Sequence, residues 1–284
     1  MNALISREAI VYLCETRYTC ERTRTMKIAV CGKGGVGKTF IAGSLAAHFA
    51  SAGRPVIAID ADSSPNLALN LGLTAEQASR IVPIAENEDL IRIKTGTCHP
   101  GVFRLSFTVD DIISRYAVPT PSGVNLLVMG TVKAMGAGCV CPAHSVIRAL
   151  MRHLVVERDE IVILDMEAGI EHLGRGTAEH VDVLLAVADA NLKSLEIAST
   201  ICQLAQESDI RTIGLVSSRI ANDRQDSLLR SYADDHALTM LGRIPFDERV
   251  ADAGMSGEMP DPAGSPAMMA IGDLADRLEA VDAG

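Results

Sequence analysis

Short runs of Val, Ile, Leu and Ala recur along the chain from residue 27 onward. Continuous apolar runs of this length are typical of parallel strands that are buried on both faces of a sheet. They predict seven strands, over residues 27–31, 55–60, 124–130, 160–165, 181–188, 212–218 and 239–244. Helical segments alternate with them, and we expect helices over residues 40–51, 109–116, 142–156, 192–207 and 266–281. The alternation predicts a three-layer α/β fold, with a mostly parallel sheet of about seven strands and helices on both faces.

Two regions depart from this pattern. Residues 1–25 contain one short apolar cluster and precede a clean start at Met26. We interpret them as an extension outside the fold, either dispensable or upstream of the true initiator, and expect residues 26–284 to form a single domain. Residues 73–121 mix short apolar pieces with acidic residues, so we expect them to decorate the sheet edge or a dimer face without predicting their order.

The most specific motif directly follows the first predicted strand and precedes an Ala-rich helix. It fits G-x-x-x-x-G-K-[ST], the phosphate-binding loop or P-loop, with the sequence Gly32-Lys33-Gly34-Gly35-Val36-Gly37-Lys38-Thr39. Its glycines allow backbone N–H groups to close around phosphate oxygens, and the helix N-terminus adds positive potential. We expect Lys38 to reach the β- and γ-phosphates of ATP and the Thr39 hydroxyl to bind Mg²⁺. The flanking strand and helix make a ligand-free glycine-rich turn the weaker interpretation.

Composition narrows the possible functions. The formal net charge is −10 and the sequence pI is about 5.2, which disfavours non-specific binding to nucleic acid or to an anionic membrane. No apolar run approaches the ~20 residues of a membrane-spanning helix. The seven cysteines have no regular spacing, which indicates a reducing cytoplasm with free or metal-bound thiols.

Aspartates lie at or just after the carboxyl ends of two predicted strands. Asp60 and Asp62 follow the second strand, and Asp165 ends the fourth. Ligand sites in open parallel sheets lie at these carboxyl ends. Asp165 with Gly169 fits a Walker B aspartate, which holds Mg²⁺ through water, and a switch II glycine, whose N–H senses the γ-phosphate. For Asp60 and Asp62, loop capping is the alternative interpretation.

Cys139 and Cys141 form a C-x-C pair on a glycine-rich stretch before the helix that we expect to begin at Pro142. A helix N-terminus favours thiolates. Two cysteines cannot complete a tetrahedral thiolate site, but a symmetric dimer that joins two such pairs supplies four ligands. On spacing alone, two partly buried thiols are an equally good interpretation.

The motif contains an additional lysine, Lys33, near its start. With this lysine, K-G-G-V-G-K-T resembles the deviant P-loop of the MinD/ParA/nitrogenase iron-protein class of ATPases. The resemblance implies that Lys33 reaches the nucleotide of a partner subunit, that Asp62 orients the attacking water, and that Asp60 has an indirect Mg²⁺ or structural role. It also implies that Pro245 and Asp247 line the nucleotide base. Two departures are the insertion of Ser63-Ser64 before the switch I proline and Ser218-Arg219 where relatives often place Asn-Lys or Asn-Arg.

The C-x-C pair, together with the stretch from Asp165 to Thr177, resembles the CooC family, ATPases that assist nickel insertion into carbon monoxide dehydrogenase. This resemblance implies an ATP-promoted homodimer in which Cys139 and Cys141 bind Ni²⁺ or Zn²⁺ across the two-fold axis, with carbon monoxide dehydrogenase as the client. One alternative is a positioning or partition ATPase, disfavoured by the acidic C-terminal tail. The other is an iron–sulfur electron donor, disfavoured because no cysteine lies between Asp165 and Cys202.

Overall fold

The computed structural model describes residues 25–62, 66–96, 104, 107–130, 142–156, 160–166 and 181–282. Within these residues, one sheet contains eight strands in the order β3-β4-β2-β5-β1-β6-β7-β8. Neighbouring strands are parallel except β3 and β4, which are antiparallel. The strands are β1 (Lys27–Gly32), β2 (Val56–Ala61), β3 (Val118–Pro119), β4 (Asn125–Val128), β5 (Ile161–Met166), β6 (Val183–Ala188), β7 (Thr212–Ile220) and β8 (Met240–Pro245).

Ten α-helices and one short 3₁₀ helix, Ile84–Glu86, accompany the sheet in the described part of the chain. The α-helices are α1 (Lys38–Ser51), α2 (Leu67–Asn70), α3 (Ala75–Ser79), α4 (Glu88–Thr95), α5 (Asp110–Tyr116), α6 (Pro142–Val156), α7 (Leu192–Gln206), α8 (Asp223–Asp235), α9 (Glu248–Ser256) and α10 (Pro266–Asp282).

The hydrophobic core consists of two layers, one on each face of the sheet. Successive strand residues point to opposite faces, so Ile28 and Val30 join one layer while Ala29 and Cys31 join the other. The first layer includes residues of α1 and α10, and the second includes residues of α5, α6, α7 and α8. The predicted three-layer α/β architecture is therefore confirmed.

The seven predicted strands and the five predicted helices are present, with ends that differ by a few residues. The eighth strand, β3, was not predicted because it has two residues, one of them a proline, and a segment so short has no readable period. Helix α8 was missed because it is strongly polar and buries only Leu229 and Ala233. Residues 73–121 contain α3, α4 and the edge strand β3, none of which was predicted, in addition to the predicted helix α5.

The C-terminal helix α10 is part of the core. It packs against β8 and α1, and it buries Ala267, Ile271, Leu274, Ala275 and Leu278. Its apolar face is therefore already occupied within the subunit. Among the described residues, no helix combines the length and the hydropathy that crossing a bilayer requires.

Strand order determines which loops meet. Strand β1 lies between β5 and β6, and β2 lies on the other side of β5. The residues that follow β1, β2 and β5 therefore meet at the carboxyl edge of the sheet, where ligand sites form in such folds. These are the P-loop, Asp62 and the end of the strand that contains Asp165.

Candidate functional site

The P-loop backbone has positive φ at three glycines, and two of them, Gly32 and Gly37, also approach neighbouring strands closely. Gly32 ends β1 with φ of 147°, and a Cβ built on it would lie 2.4 Å from the carbonyl oxygen of Val187 on β6. Gly37 is the N-cap of α1 with φ of 97°, in the left-handed region. A Cβ there would lie 3.1 Å from Ser218 Oγ. The loop is thus held tightly between β6 and the end of β7, with its glycines at the closest approaches.

The Lys38 side chain is turned back over its own loop. It is only 4% exposed, and its Nζ donates a hydrogen bond to the backbone carbonyl of Lys33 at 3.3 Å. The loop glycines Gly34, Gly35 and Gly37 line the adjacent cleft together with Lys38 and Thr39. The side chain of Val36 instead packs into the core, where it anchors the loop. This arrangement places a cation and the amino end of a 14-residue helix beside an open cleft.

Asp165 is fully buried near the same loop, on β5. Burial raises its pKa to about 7, the Thr39 hydroxyl and the Lys38 ammonium act to lower it, and the carboxylates of Asp60 and Asp62 raise it further. Neither carboxylate oxygen makes a hydrogen bond of good geometry with a described residue. A buried carboxylate beside a threonine hydroxyl is a site that fits a divalent cation.

Asp60 and Asp62 follow from β2. Asp60 is the register partner of Asp165 and is equally buried, which raises its pKa to about 6. Its Oδ2 accepts a hydrogen bond from the Leu67 amide at 2.9 Å, and its Oδ1 accepts one from the Asp62 amide at 3.3 Å. Asp62 lines the cleft, whereas Asp60 lies behind it. The two aspartates therefore occupy different environments although they are two residues apart.

The cleft that begins at the P-loop has a volume of about 850 Å³. Asn66, Leu69 and Asn70 form one wall next to Asp62. The opposite wall comes from the ends of β7 and β8 and from α9, a helix with no buried residue. The apolar part of that wall includes Ile244, Pro245, Phe246, Val250 and Met255. A cleft lined both by the glycines of the P-loop and by these apolar residues suits a ligand that carries phosphates and a ring.

Pro245 and Asp247 both lie in this wall. The Asp247 side chain caps α9 by accepting from the Arg249 amide at 3.0 Å, and it also accepts from the Ser265 hydroxyl. Burial would raise its pKa, but these hydrogen bonds and one from the Ala267 amide lower it. Asp247 thus orders the cleft wall by fixing where α9 begins.

Sequence patterns did not identify α9, Asn70 or the conformation of Arg219 as parts of the cleft. Arg219 lines it with φ of 57°, at an irregularity in the pairing of β7 with β8. Positive φ is uncommon outside glycine and asparagine and often marks functional sites. Arginine gives no sequence signal for it.

Several predicted site residues lie outside the described residues, namely Cys139, Cys141 and Gly169. The two cysteines that the structure describes, Cys31 and Cys202, are both buried. Burial raises the pKa of the Cys202 thiol to about 11, so it remains protonated and a poor metal ligand. Within the described ranges, no three His, Cys, Asp or Glu side chains cluster as a metal site.

The fold and the site together define the class of the protein: it is a P-loop ATPase. Residues 27–260 match the family described as the CobQ/CobB/MinD/ParA nucleotide binding domain. The chain belongs to this family and, within it, to the CooC proteins.

One named relative supports this assignment, a second relative is similarly close in sequence, and one solved structure shares the fold. The chain is 44% identical to the carbon monoxide dehydrogenase accessory protein CooC of Rhodospirillum rubrum, over 82% of this chain and 88% of the relative. It is 42% identical to an uncharacterized ATP-binding protein of Methanocaldococcus jannaschii, over 82% of this chain and 90% of the relative. The MinD subunit in the MinC:MinD cell division complex of Aquifex aeolicus shares the fold, with a TM-score of 0.64 and 22% identity, covering 90% of this chain and 96% of that one.

Proposed function

We propose that the protein is an ATP-dependent, dimerising maturation factor for nickel insertion into carbon monoxide dehydrogenase. The observation that carries the proposal is the presence, in one chain, of a two-lysine P-loop and a C-x-C pair. The 44% identity to a protein named as a carbon monoxide dehydrogenase accessory factor supports the choice of client. The metal ion is Ni²⁺ or Zn²⁺, and the thiolate ligand type suits both.

The cleft fits MgATP. The glycines of the loop and Lys38 hold the triphosphate, and the apolar wall with Pro245 holds the base. Mg²⁺, when bound, neutralises charge on the β- and γ-phosphates. Thr39 and Asp165 are the residues that hold it, because the Thr39 hydroxyl lies beside the Asp165 carboxylate and burial penalises the charge of that carboxylate when no cation is bound.

Lys33 acts on the nucleotide of a second subunit, and Asp62 acts on a water molecule. Lys33 is half-buried at the start of the loop, and we assign its ammonium to the nucleotide of a partner subunit. In that position it stabilises charge on the transferring phosphoryl group only when two subunits meet. Asp62, in the cleft wall, orients the attacking water, and the Gly169 N–H senses the γ-phosphate.

The dimer couples ATP to the metal. Two C-x-C pairs brought together by a two-fold axis supply the four thiolates that a tetrahedral site needs. ATP favours this closed dimer to the extent that it binds the closed form better than the open one. Hydrolysis then removes the preference and allows the four-thiolate site to open.

The test is activation of the client in cells. We expect the Cys139→Ser, Cys141→Ser double variant to leave carbon monoxide dehydrogenase without nickel activation, while Cys202→Ala, which removes a buried thiol, supports activation as the wild type does. Immunoblots establish that the three proteins accumulate equally. Full activation with the double variant would exclude the metal role.

A further inference from the structure

The buried aspartates Asp60 and Asp165 differ in one respect. They are register partners on adjacent parallel strands, and both are fully buried. The Thr39 hydroxyl lies beside Asp165 and lowers its pKa, but no backbone amide of the described chain donates a hydrogen bond to this carboxylate. The oxygens of Asp60 accept from the backbone amides of Leu67 at 2.9 Å and Asp62 at 3.3 Å, and the Asn66 amide donates to the same carboxylate. Backbone amides thus hold the Asp60 carboxylate, whereas none holds that of Asp165, which is available to a cation.

We propose that Asp60 is a positioning residue, whose carboxylate holds Asp62 and the start of α2 in place through backbone amides and leaves Mg²⁺ to Asp165. This inference rests on the proposed function, in which Asp62 orients the attacking water. It assigns Asp60 no contact with the nucleotide or the metal ion.

The three amides that donate to Asp60 belong to residues in or next to the wall of the cleft. Asp62 and Asn66 both line the cleft, and Leu67 is the first residue of α2, whose Leu69 and Asn70 continue the same wall. Asp60 does not line the cleft, because it lies behind this wall with no exposed surface. It can therefore influence the nucleotide only through the backbone that it holds.

The local structure needs such an anchor. Helix α2 has four residues, too few to be stable by its own hydrogen bonds, and its N-cap Asn66 makes no side-chain capping bond. A charged acceptor makes stronger hydrogen bonds to backbone amides than a neutral one. The Asp60 carboxylate thus provides, from within the core, the capping contact that α2 otherwise lacks.

The first experiment compares Asp60→Asn with Asp165→Asn in MgADP binding, in ATP turnover and in amide exchange. The asparagine at residue 60 retains one acceptor oxygen but presents an NH₂ group to at least one donor amide. We expect Asp60→Asn to lower turnover at least about tenfold and to speed exchange of the 62 and 67 amides about tenfold or more. In Asp60→Asn, the Mg²⁺ concentration for half-maximal nucleotide binding should change less than about fivefold. Asp165→Asn should raise that concentration much further, and it should leave the 62 and 67 amides protected from exchange.

Asp182→Asn is the matched control, because Asp182 Oδ2 also accepts a backbone amide, that of Lys27 at 2.8 Å, at the opposite end of the sheet. It should keep wild-type turnover. Unchanged turnover in Asp60→Asn, or a rise in its Mg²⁺ requirement that equals that of Asp165→Asn, would overturn the proposal.

Two further measurements keep the test decisive. If Asp60→Asn does not fold, amide exchange in the nucleotide-free wild type tests the proposal. The 62, 66 and 67 amides must then be protected, and free exchange at these amides would refute the anchoring role of Asp60. Asp62→Asn separates this inference from the proposed function. Full turnover in Asp62→Asn with protected amides would reject the role of Asp62 in hydrolysis while leaving the anchoring contact of Asp60 intact.

Discussion

The ammonium of Lys38 donates a hydrogen bond to the backbone carbonyl of Lys33, 3.3 Å away. The two lysines of one loop are thereby distinguished. Lys38 is buried over the loop, where phosphates would displace the carbonyl as its partner, while the side chain of Lys33 is half-buried at the start of the loop. The geometry suits a lysine that acts within its own site and another that acts outside it.

Replacing Lys33 should therefore affect catalysis and leave nucleotide binding intact. We expect Lys33→Ala to retain ADP affinity, to lose ATP-promoted dimerisation, and to hydrolyse ATP at least about 100-fold more slowly, as a missing in-trans cation would cause. Titration calorimetry, size-exclusion chromatography with light scattering and phosphate release measure the three quantities. Lys193→Ala, on the exposed first turn of α7, is the control. A Lys33→Ala protein that still dimerises and turns over at the wild-type rate would exclude the in-trans role.

Gly32 should tolerate no side chain. A Cβ there would lie 2.4 Å from the Val187 carbonyl oxygen, at φ of 147°. We expect Gly32→Ala to cost about 2 kcal/mol or more and to lower the melting temperature by roughly 5 °C, measured by circular dichroism. Gly254→Ala on α9 is the comparison, since its Cβ meets nothing within 4 Å and alanine favours the helix by up to about 1 kcal/mol. Equal melting of the two variants would contradict the close packing of β1 and β6.

The buried carboxyls predict a pH dependence. Their pKa values of about 6 for Asp60 and about 7 for Asp165 exceed the 3.8 of an unfolded chain. Between pH 3.8 and these raised pKa values, the folded, metal-free protein therefore binds more protons than the unfolded chain. Its free energy of unfolding falls as the pH rises through this range. Mg²⁺ competes with the proton on Asp165, so MgADP should raise the melting temperature more at about pH 7.5 than at about pH 5, by roughly 5 °C.

Asp165→Asn provides the control for this effect, because it removes the titrating group at the proposed metal site. Its MgADP-induced shift should be small and nearly independent of pH. An equally large shift at both pH values in the wild type would show that Mg²⁺ does not displace a proton here.

Helix α10 predicts the behaviour toward lipid. Its apolar face is buried against α1 and β8, and the chain carries a net charge of −10. With MgATP, the protein should stay in the supernatant when phosphatidylglycerol vesicles are pelleted, because inserting α10 would expose the core it covers. Pelleting that depends on ATP would instead favour a positioning ATPase.

The sheet could be predicted from sequence because its strands are continuous apolar runs separated by helices. The P-loop could be predicted from its motif, and the position of Asp62 and Asp165 at the same edge could be predicted because each lies at or just after the carboxyl end of a predicted strand. The hydrogen bond from the Leu67 amide to Asp60 could not be predicted, because it joins residues whose approach depends on a loop conformation. The contribution of α9 to the cleft was also hidden, as a helix without buried residues has no core-facing pattern to read.

Metal stoichiometry per dimer tests the central claim most directly. Native mass spectrometry with elemental analysis would compare the wild type, the Cys139→Ser, Cys141→Ser double variant and Cys202→Ala, each with and without MgATP. The account predicts one Ni²⁺ or Zn²⁺ per dimer in the wild type and in Cys202→Ala, and none in the double variant. A dimer that forms with MgATP and binds no metal, or a double variant that binds as much metal as the wild type, would contradict it and leave an ATPase whose C-x-C pair has no metal role.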